Sequence, residues 1–395
     1  MKRFSSELAS LRDRFGDAVR YLGVVLAVVL ICAGVIGLLS CSQPGGAPGG
    51  NGGKANNGGS SKTITTYAGT GFPGATGDNG PALQALLNSP YGICFDSVGY
   101  LYIADHGNSE VRVVNTAHSI FCAAGTGTAG YNGDNISPTT ARLNQPPSIA
   151  VDPSGNIFVA DEWNDRIRKV SALITTAAGT GSPTFGGDGA AATAASVAFP
   201  TFVFFDKSGN LYIADQGNNR VRVINASTGF IGTVAGNGST GPVVDGGQAT
   251  ATTMTSPCCA IVDSSGNIYI SQPNNNVVRK VNSSGVISTY AGTGIAGYSG
   301  DGKAATSANL KYPTALAFDG SGDLYIADSW NCVIREVNAS TRVITTVVGT
   351  GTPGFSPDGT AATSAELNTP MGIAFDGSGT LYVADTGNNV IRVVK

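Results

Sequence analysis

The chain has 395 residues, 42% of them hydrophobic and only 12% charged, with a net charge of −3. That length buries a large core, and the lack of a basic excess excludes nucleic acid as an expected partner. Gly is abundant at 56 residues, Lys and Glu are scarce, and Val, Ile, Thr and Tyr are frequent, which predicts short strands joined by tight turns.

In chain order, residues 1–41 read as a targeting segment. Lys2, Arg3, Arg12, Arg14 and Arg20 precede an apolar run over residues 21–39. Those 19 residues are about enough to cross a bilayer at ~1.5 Å rise per residue. No basic residue follows until Lys54, so the positive-inside rule leaves the bulk of the chain outside the cytoplasm. The run ends Leu38-Leu39-Ser40-Cys41, which resembles the lipobox of bacterial lipoproteins. That resemblance implies lipidation at Cys41 and a membrane-anchored place in the cell envelope. An uncleaved signal anchor is the alternative, and it also places the chain outside. Residues 42–62, SQPGGAPGGNGGKANNGGSSK, hold nothing that offsets the entropy of ordering. They read as a flexible tether reaching about 25 Å.

The remainder, 63–395, is one repeated unit. PYGICFDSVGYLYIADHGNSEVRVV (90–114) matches PMGIAFDGSGTLYVADTGNNVIRVV (370–394). The unit begins near Asn88, Asn144, Ala198, Thr255, Lys311 and Asn368, in steps of 56, 54, 57, 56 and 57 residues. Each unit predicts four strands: one like GIAFD, a D-x-x-G turn, then LYIAD, VRVV and ITTYAGTG. A connection of about 20 residues follows, with an Asp-Gly motif and a short helical piece such as AATSANL (304–310). The sixth unit stops after its third strand, and its missing strand lies at 63–70. The predicted fold is all-β: a six-bladed β-propeller of four-stranded antiparallel blades, closed by an N-terminal strand that completes the last blade.

This period explains Gly69-x-Gly71-x-x-Gly74, which has the spacing of a dinucleotide-binding loop. The spacing recurs at Gly125, Gly236, Gly292 and Gly349, whereas a dinucleotide loop occurs once and opens a long helix. The expected role is a positive φ where each blade hands over to the next. Cys94, Cys122, Cys258, Cys259 and Cys332 are odd in number and lack CxxC spacing, so free thiols are expected, with a vicinal Cys258–Cys259 disulfide as the alternative.

Residues that recur in every unit are expected to hold the blades. Arg112, Arg168, Arg222, Arg279, Arg335 and Arg392 stand seven residues after Asp105, Asp161, Asp215, Gln272, Asp328 and Asp385, which predicts an Asp–Arg pair inside five of the blades. Asp96, Asp152, Asp206, Asp263, Asp319 and Asp376 open the D-x-x-G turns. Asp78, Asp134, Asp188, Asp245, Asp301 and Asp358 lie in the connections, where they are expected to cap the helical pieces. No cofactor is expected. A carboxylate ring attracting a divalent cation such as calcium is the alternative, although the oxygen spacing of an EF-hand is missing.

Non-repeated residues carry the functional expectation. The pair after AD varies: His106-Gly107, Glu162-Trp163, Gln216-Gly217, Pro273-Asn274, Ser329-Trp330 and Thr386-Gly387. Tyr91, Pro147, Thr201, Cys258, Thr314 and Met371 should rim the central channel on the same face. The candidate ligand-binding set is Trp163, Trp330, His106, Glu162, Gln216, Tyr91 and Met371, in which exposed Trp serves as an anchor for proteins and saccharides.

The unit PxGIAFDxxGxLYxADxxNxxIRxV…ITTxAGTG resembles the NHL repeat across 63–395. Connections such as GYSGDGKAATSANL (297–310) resemble those of NHL propellers in bacterial secreted proteins and in teneurins. The resemblance implies the fold and leaves the function open, since NHL and related propellers include protein-binding, RNA-binding and sensor modules as well as lyases and gluconolactonase-like hydrolases. No HExxH or GxSxG motif is present, and the two histidines are His106 and His118. The expectation is a monomeric, membrane-tethered, extracytoplasmic module that binds a protein or glycan on its inter-blade loop face. The alternative is a metal-dependent lyase or lactonase-like propeller enzyme using His106 or Glu162.

Overall fold

A computed structural model describes residues 62–395; the expected targeting segment, Cys41 and the expected tether up to residue 61 lie outside the described residues. Six antiparallel sheets form six blades. In blade 1, strand A is Pro90–Phe95, B is Leu101–Asp105, C is Glu110–Val114 and D is Ser119–Ala124. Blades 2 to 5 repeat this order with A strands at Ser148–Val151, Pro200–Phe205, Cys259–Val262 and Pro313–Phe318. The A strands are innermost, and each touches the next around a closed ring, the sixth returning to the first. Among the described residues no helix is long and apolar enough to cross a membrane.

Blade 6 is built from both ends of the described chain. Gly372–Phe375, Leu381–Asp385 and Val390–Val394 supply strands A to C, and Thr63–Ala68 supplies D. Ile64 pairs with Val394 and Thr66 with Arg392. The Thr63 N–H donates to the Lys395 carbonyl at 2.7 Å, and the Lys395 N–H donates back at 2.9 Å. The outer edge of each blade is covered by more than the sequence repeat shows. The preceding connection folds back along strand D, as a two-residue strand in blades 1, 5 and 6 and as a single bridge in blades 2, 3 and 4. Those contacts occupy edge N–H and C=O groups that would otherwise recruit another sheet.

The D-to-A connections and the B–C turns share one face, here called the loop face; the A–B and C–D turns share the other, where Thr63 and Lys395 stand. The recurring glycine sits where strand D leaves for the next blade. Gly69 has φ +95°, and a Cβ there would strike the Asn389 carbonyl; Gly125 has φ +104° and meets Ser109 the same way. Neighbouring blades are clasped by the left-handed residue that ends each B–C turn. The Asn389 side chain accepts from the Ser89 N–H at 2.9 Å, Asn219 from Ser256 at 3.0 Å and Asp165 from Phe199 at 2.9 Å.

Each recurring Arg is fully buried, and four of the six lie between two acidic partners. Arg112 reaches Asp105 on strand B at 3.4 Å and also bonds Asp78 from the connection. Arg335 does the same with Asp328 at 3.4 Å and Asp301 at 2.6 Å. The connection aspartates are therefore ion-pair partners and not helix caps, for the short 3₁₀ turns carry no side-chain cap. The Asp–Arg pair inside the blade forms in blades 1, 2, 3 and 5. In blade 4 Gln272 stands 3.5 Å from Arg279, and in blade 6 Asp358 is the only one of the two aspartates that bonds Arg392. Burial pushes the Asp105, Asp161, Asp215 and Asp328 carboxyls up to about 6 against hydrogen bonds and the neighbouring Arg. Asp385, without a guanidinium bond, rises to about 7. All five described cysteines are free thiols, so Cys258 and Cys259 are not joined.

The first residue of strand C forms a second layer. Arg166 and Arg220 hold it in blades 2 and 3, and valine holds it in blades 4 to 6. Blade 1 places Glu110 there, 8% exposed, with Oε2 lacking a hydrogen-bond partner. Burial pushes its carboxyl up to about 7, with Asp105 and Asp78 adding to the rise and Arg112 opposing it.

Three outcomes follow from this packing. Arg335→Leu leaves Asp328 and Asp301 unpaired and should cost about 3–5 kcal/mol in denaturant unfolding, whereas Asp328→Gln, which copies blade 4, should cost much less. Because Glu110 is protonated more readily folded than unfolded, its contribution is fully present below the ordinary carboxylate pKa and is lost as pH rises toward about 7. Glu110→Gln should therefore raise Tm at pH 8, with the difference vanishing near pH 4. Deleting residues 63–68 should expose the C-strand edge of blade 6 and convert a monodisperse protein into aggregates by light scattering.

Candidate functional site

The site is built at the inner ends of the loop face, where each chain segment turns from a connection into strand A. The residue just before this turn precedes a proline in all six blades and holds a positive φ, between 45° and 56° at Ser89, Gln145, Phe199, Ser256, Tyr312 and Thr369. A left-handed residue followed by proline fixes the direction in which the next side chain meets the channel. The rim then locks blade to blade. The Gly92 N–H donates to the Pro147 carbonyl at 2.9 Å. Thr201 Oγ1 donates to Cys258 O at 3.1 Å, and Thr314 Oγ1 to Met371 O at 3.1 Å. Ser329 Oγ donates to Pro370 O and Thr386 Oγ1 to Pro90 O, both at 2.6 Å.

On this rim the structure brings together three of the predicted residues. The Tyr91 ring stacks on His106 with centroids 4.5 Å apart. His106 Nε2 lies 3.8 Å from Glu162 Oε2, with both side chains less than a fifth exposed. The cluster spans blades 1 and 2, so neither blade alone contains it. Glu162 also acts across the channel mouth: the Cys258 thiol of blade 4, pushed up to about 12 mainly by burial, is raised further by that carboxylate. His106 and Glu162 form a pair suited to hydrogen bonding or proton exchange with a polar ligand. Among the described residues no three His, Cys, Asp or Glu side chains are arranged to hold a metal ion. The connection aspartates imagined as a calcium ring are engaged by arginine, and in part by threonine, as with Thr176 Oγ1 donating to Asp134 at 3.1 Å.

The remaining predicted residues stand apart. Trp330 is 46% exposed and lies flat on Tyr312, with centroids 4.4 Å apart and planes 11° from parallel. Trp163, on the opposite side of the ring, is half-buried and packs edge-on against Phe199 at 5.2 Å. Gln216 and Met371 are half-buried at their turn and rim positions, and His118 lies on the far face, edge-on to Tyr67 at 5.1 Å. The partners Tyr312 and Phe199 were not anticipated from the sequence. Their signal was present, since they are the two aromatic residues at the repeated position before proline. The recurring asparagine of the B–C turn was part of the repeated unit, but its role was not anticipated. Asn331 Nδ2 donates to Asp328 at 2.8 Å and to Gly297 O at 2.6 Å, fastening the connection to the turn that carries Trp330.

Comparison with known proteins agrees with this geometry. The family profile described as NHL repeat matches residues 143–170, which lie in blade 2 and its lead-in. The chain is 29% identical to teneurin-4 of Homo sapiens over 62% of this chain and 10% of that protein. It is 26% identical to NHL repeat-containing protein 2 of Bos taurus over 74% of this chain and 44% of that protein. It thus spans less than half the length of these relatives. A solved structure named as an auxiliary nutrient binding protein from Bacteroides ovatus superposes with a TM-score of 0.62 at 14% identity, covering 85% of this chain and 76% of the other, a likeness of fold alone. Six blades of one recurring unit, the profile match and these relatives together support an NHL-repeat β-propeller.

Proposed function

We propose that the protein is an extracytoplasmic, membrane-tethered binding module that recognises a protein or glycan with its loop face. The observation that carries this reading is the Trp330–Tyr312 stack, a flat indole face left 46% exposed on a rigid turn. Large aromatic surface held without side-chain freedom is the usual anchor of a recognition site. The Tyr91–His106–Glu162 cluster adds a polar counterpart on the same face. Repeated positions supply a stiff ring, and ligand choice falls to the residues that differ between blades. Thr63, the first strand residue after the proposed tether, stands on the opposite face. A protein of the same fold being named for nutrient binding is consistent with a ligand-binding role.

Glycan-array and protein pull-down measurements on the full-length chain test this reading. Trp330→Ala should weaken capture about tenfold or more, as expected for an anchor, and His106→Ala should weaken it less. Trp163→Ala should chiefly lower stability, because that ring packs against Phe199. Undiminished binding in both Trp330→Ala and His106→Ala overturns the choice of face. Incorporation of labelled palmitate that disappears in Cys41→Ser would support the proposed anchor, and its absence from the wild type would refute lipidation.

A further inference from the structure

The outer part of the loop face holds a slot that the chain fills itself in two blades and leaves open in one. In blade 2, Arg166 extends from the start of strand C beneath the connection. Its guanidinium donates to the Asn164 and Thr180 carbonyls, both at 2.8 Å, and lies 4.0 Å from the centre of the Tyr131 ring. Blade 3 repeats the arrangement. Arg220 donates to Asn218 O at 2.9 Å and Asn237 O at 2.8 Å, 3.6 Å from the Phe185 ring. The slot thus has three parts: an aromatic ring three residues before the connection aspartate, the carbonyl within the Gly-x-Gly turn, and the carbonyl of the B–C turn asparagine.

Blade 6 has all three parts and no arginine. Phe355 supplies the ring and rests on the buried Arg392 at 4.6 Å, as Tyr131 rests on Arg168 at 4.8 Å and Phe185 on Arg222 at 4.9 Å. The residue that corresponds to Arg166 and Arg220 is Val390, too short to reach. What remains is a groove of about 230 Å³ lined by Thr70, Gly71, Phe72, Phe355, Gly387 and Asn388. In blades 2 and 3 a Cβ on the second turn glycine would collide with the guanidinium; on Gly71 it would meet only the Asn388 carbonyl, at 3.8 Å. Phe72, 73% exposed, and Phe355, 50% exposed, flank the opening. The other blades lack this combination. Blade 5 closes the slot with Tyr298, whose ring stands 2.9 Å from where a Cβ on Gly351 would be. Blades 1 and 4 have Ala75 and Pro242 in place of the ring.

We propose that the blade 6 groove recognises an arginine side chain presented by a protein partner; it rests on the loop-face reading because the groove opens on that face. A planar guanidinium can donate to two carbonyls while lying against a ring, which a lysine ammonium does not reproduce. The two flanking phenyl rings offer cation–π faces on a site otherwise made of backbone. Glu366, whose carboxylate packs over Gly354 beside Phe355, adds negative charge where blades 2 and 3 carry Arg142 and Ser196.

The test is a titration of the full-length chain, with 4-fluorophenylalanine at position 72 as the ¹⁹F NMR reporter. The probes are N-acetyl-argininamide, free arginine, N-acetyl-lysinamide and N-acetyl-norleucinamide. A saturable shift is expected with the capped arginine, with the lysine and norleucine probes far weaker. Phe355→Ala should weaken the response roughly three- to tenfold. Val390→Arg should abolish it, and a crystal structure of that variant should show the new guanidinium between Phe355 and the Thr70 and Asn388 carbonyls. Equal response to the lysine or norleucine probe, no response to any, or a response that survives a filled groove in Val390→Arg overturns the proposal. Tighter binding of free than capped arginine overturns the protein partner. If Val390→Arg does not fold, the probe selectivity and Phe355→Ala decide. Trp330→Ala should leave the arginine response intact; a silent titration beside Trp330-dependent ligand capture refutes this slot while the loop-face reading stands.

Discussion

Six arginines without solvent contact organise this molecule, and each is met by an acidic group from the connection, with a second carboxylate from strand B in four of the blades. One carboxylate ends strand B, and the other arrives on the connection from the preceding blade. A buried guanidinium is expensive to desolvate, so the pair adds little net stability while its loss is costly. The consequence is positional. A connection can bond its arginine only when it lies across strands C and D in one register, and that register covers the blade edge and aims the Gly-x-Gly turn at the next blade.

The same arrangement explains why the ring tolerates variation on one face. Hydrogen bonds from the B–C turn asparagines and the left-handed clasp residues use repeated positions. The two positions between them are free to differ, and there the chain places histidine, glutamate and two tryptophans. Their surroundings differ too. Trp330 keeps an open face because Tyr312 supports it from below, whereas Trp163 spends its ring against Phe199. Identical residues at equivalent positions thus acquire different accessibility from one neighbour each.

The blade 6 slot and Glu110 belong to one further variable position, the head of strand C. Arginine there clamps a connection, Val390 of blade 6 leaves a space, and glutamate buries a carboxyl with an unpaired oxygen. The identities were legible in the alignment of units, but their meaning was not. A strand residue reads as core or edge from its own sequence, and only packing shows that Arg166, Arg220 and Val390 face the same ring and carbonyls.

By itself the sequence determined the period, the number of blades, the strand order within each and the closure of the last blade by the N-terminal strand. These follow from local patterns: alternating apolar residues, D-x-x-G turns, and a unit cut short at one end and completed at the other. It also showed which residues vary between the blades. Tertiary structure decided the partners. The connection aspartates, expected as caps, proved to be the outer members of the arginine pairs, because the arginine that each bonds lies 34 residues later in the chain. Tyr91, His106 and Glu162 come together only because two blades abut at the channel mouth. Contacts between blades depend on how far the sheets rotate from one to the next, and no pattern inside a single unit encodes that angle.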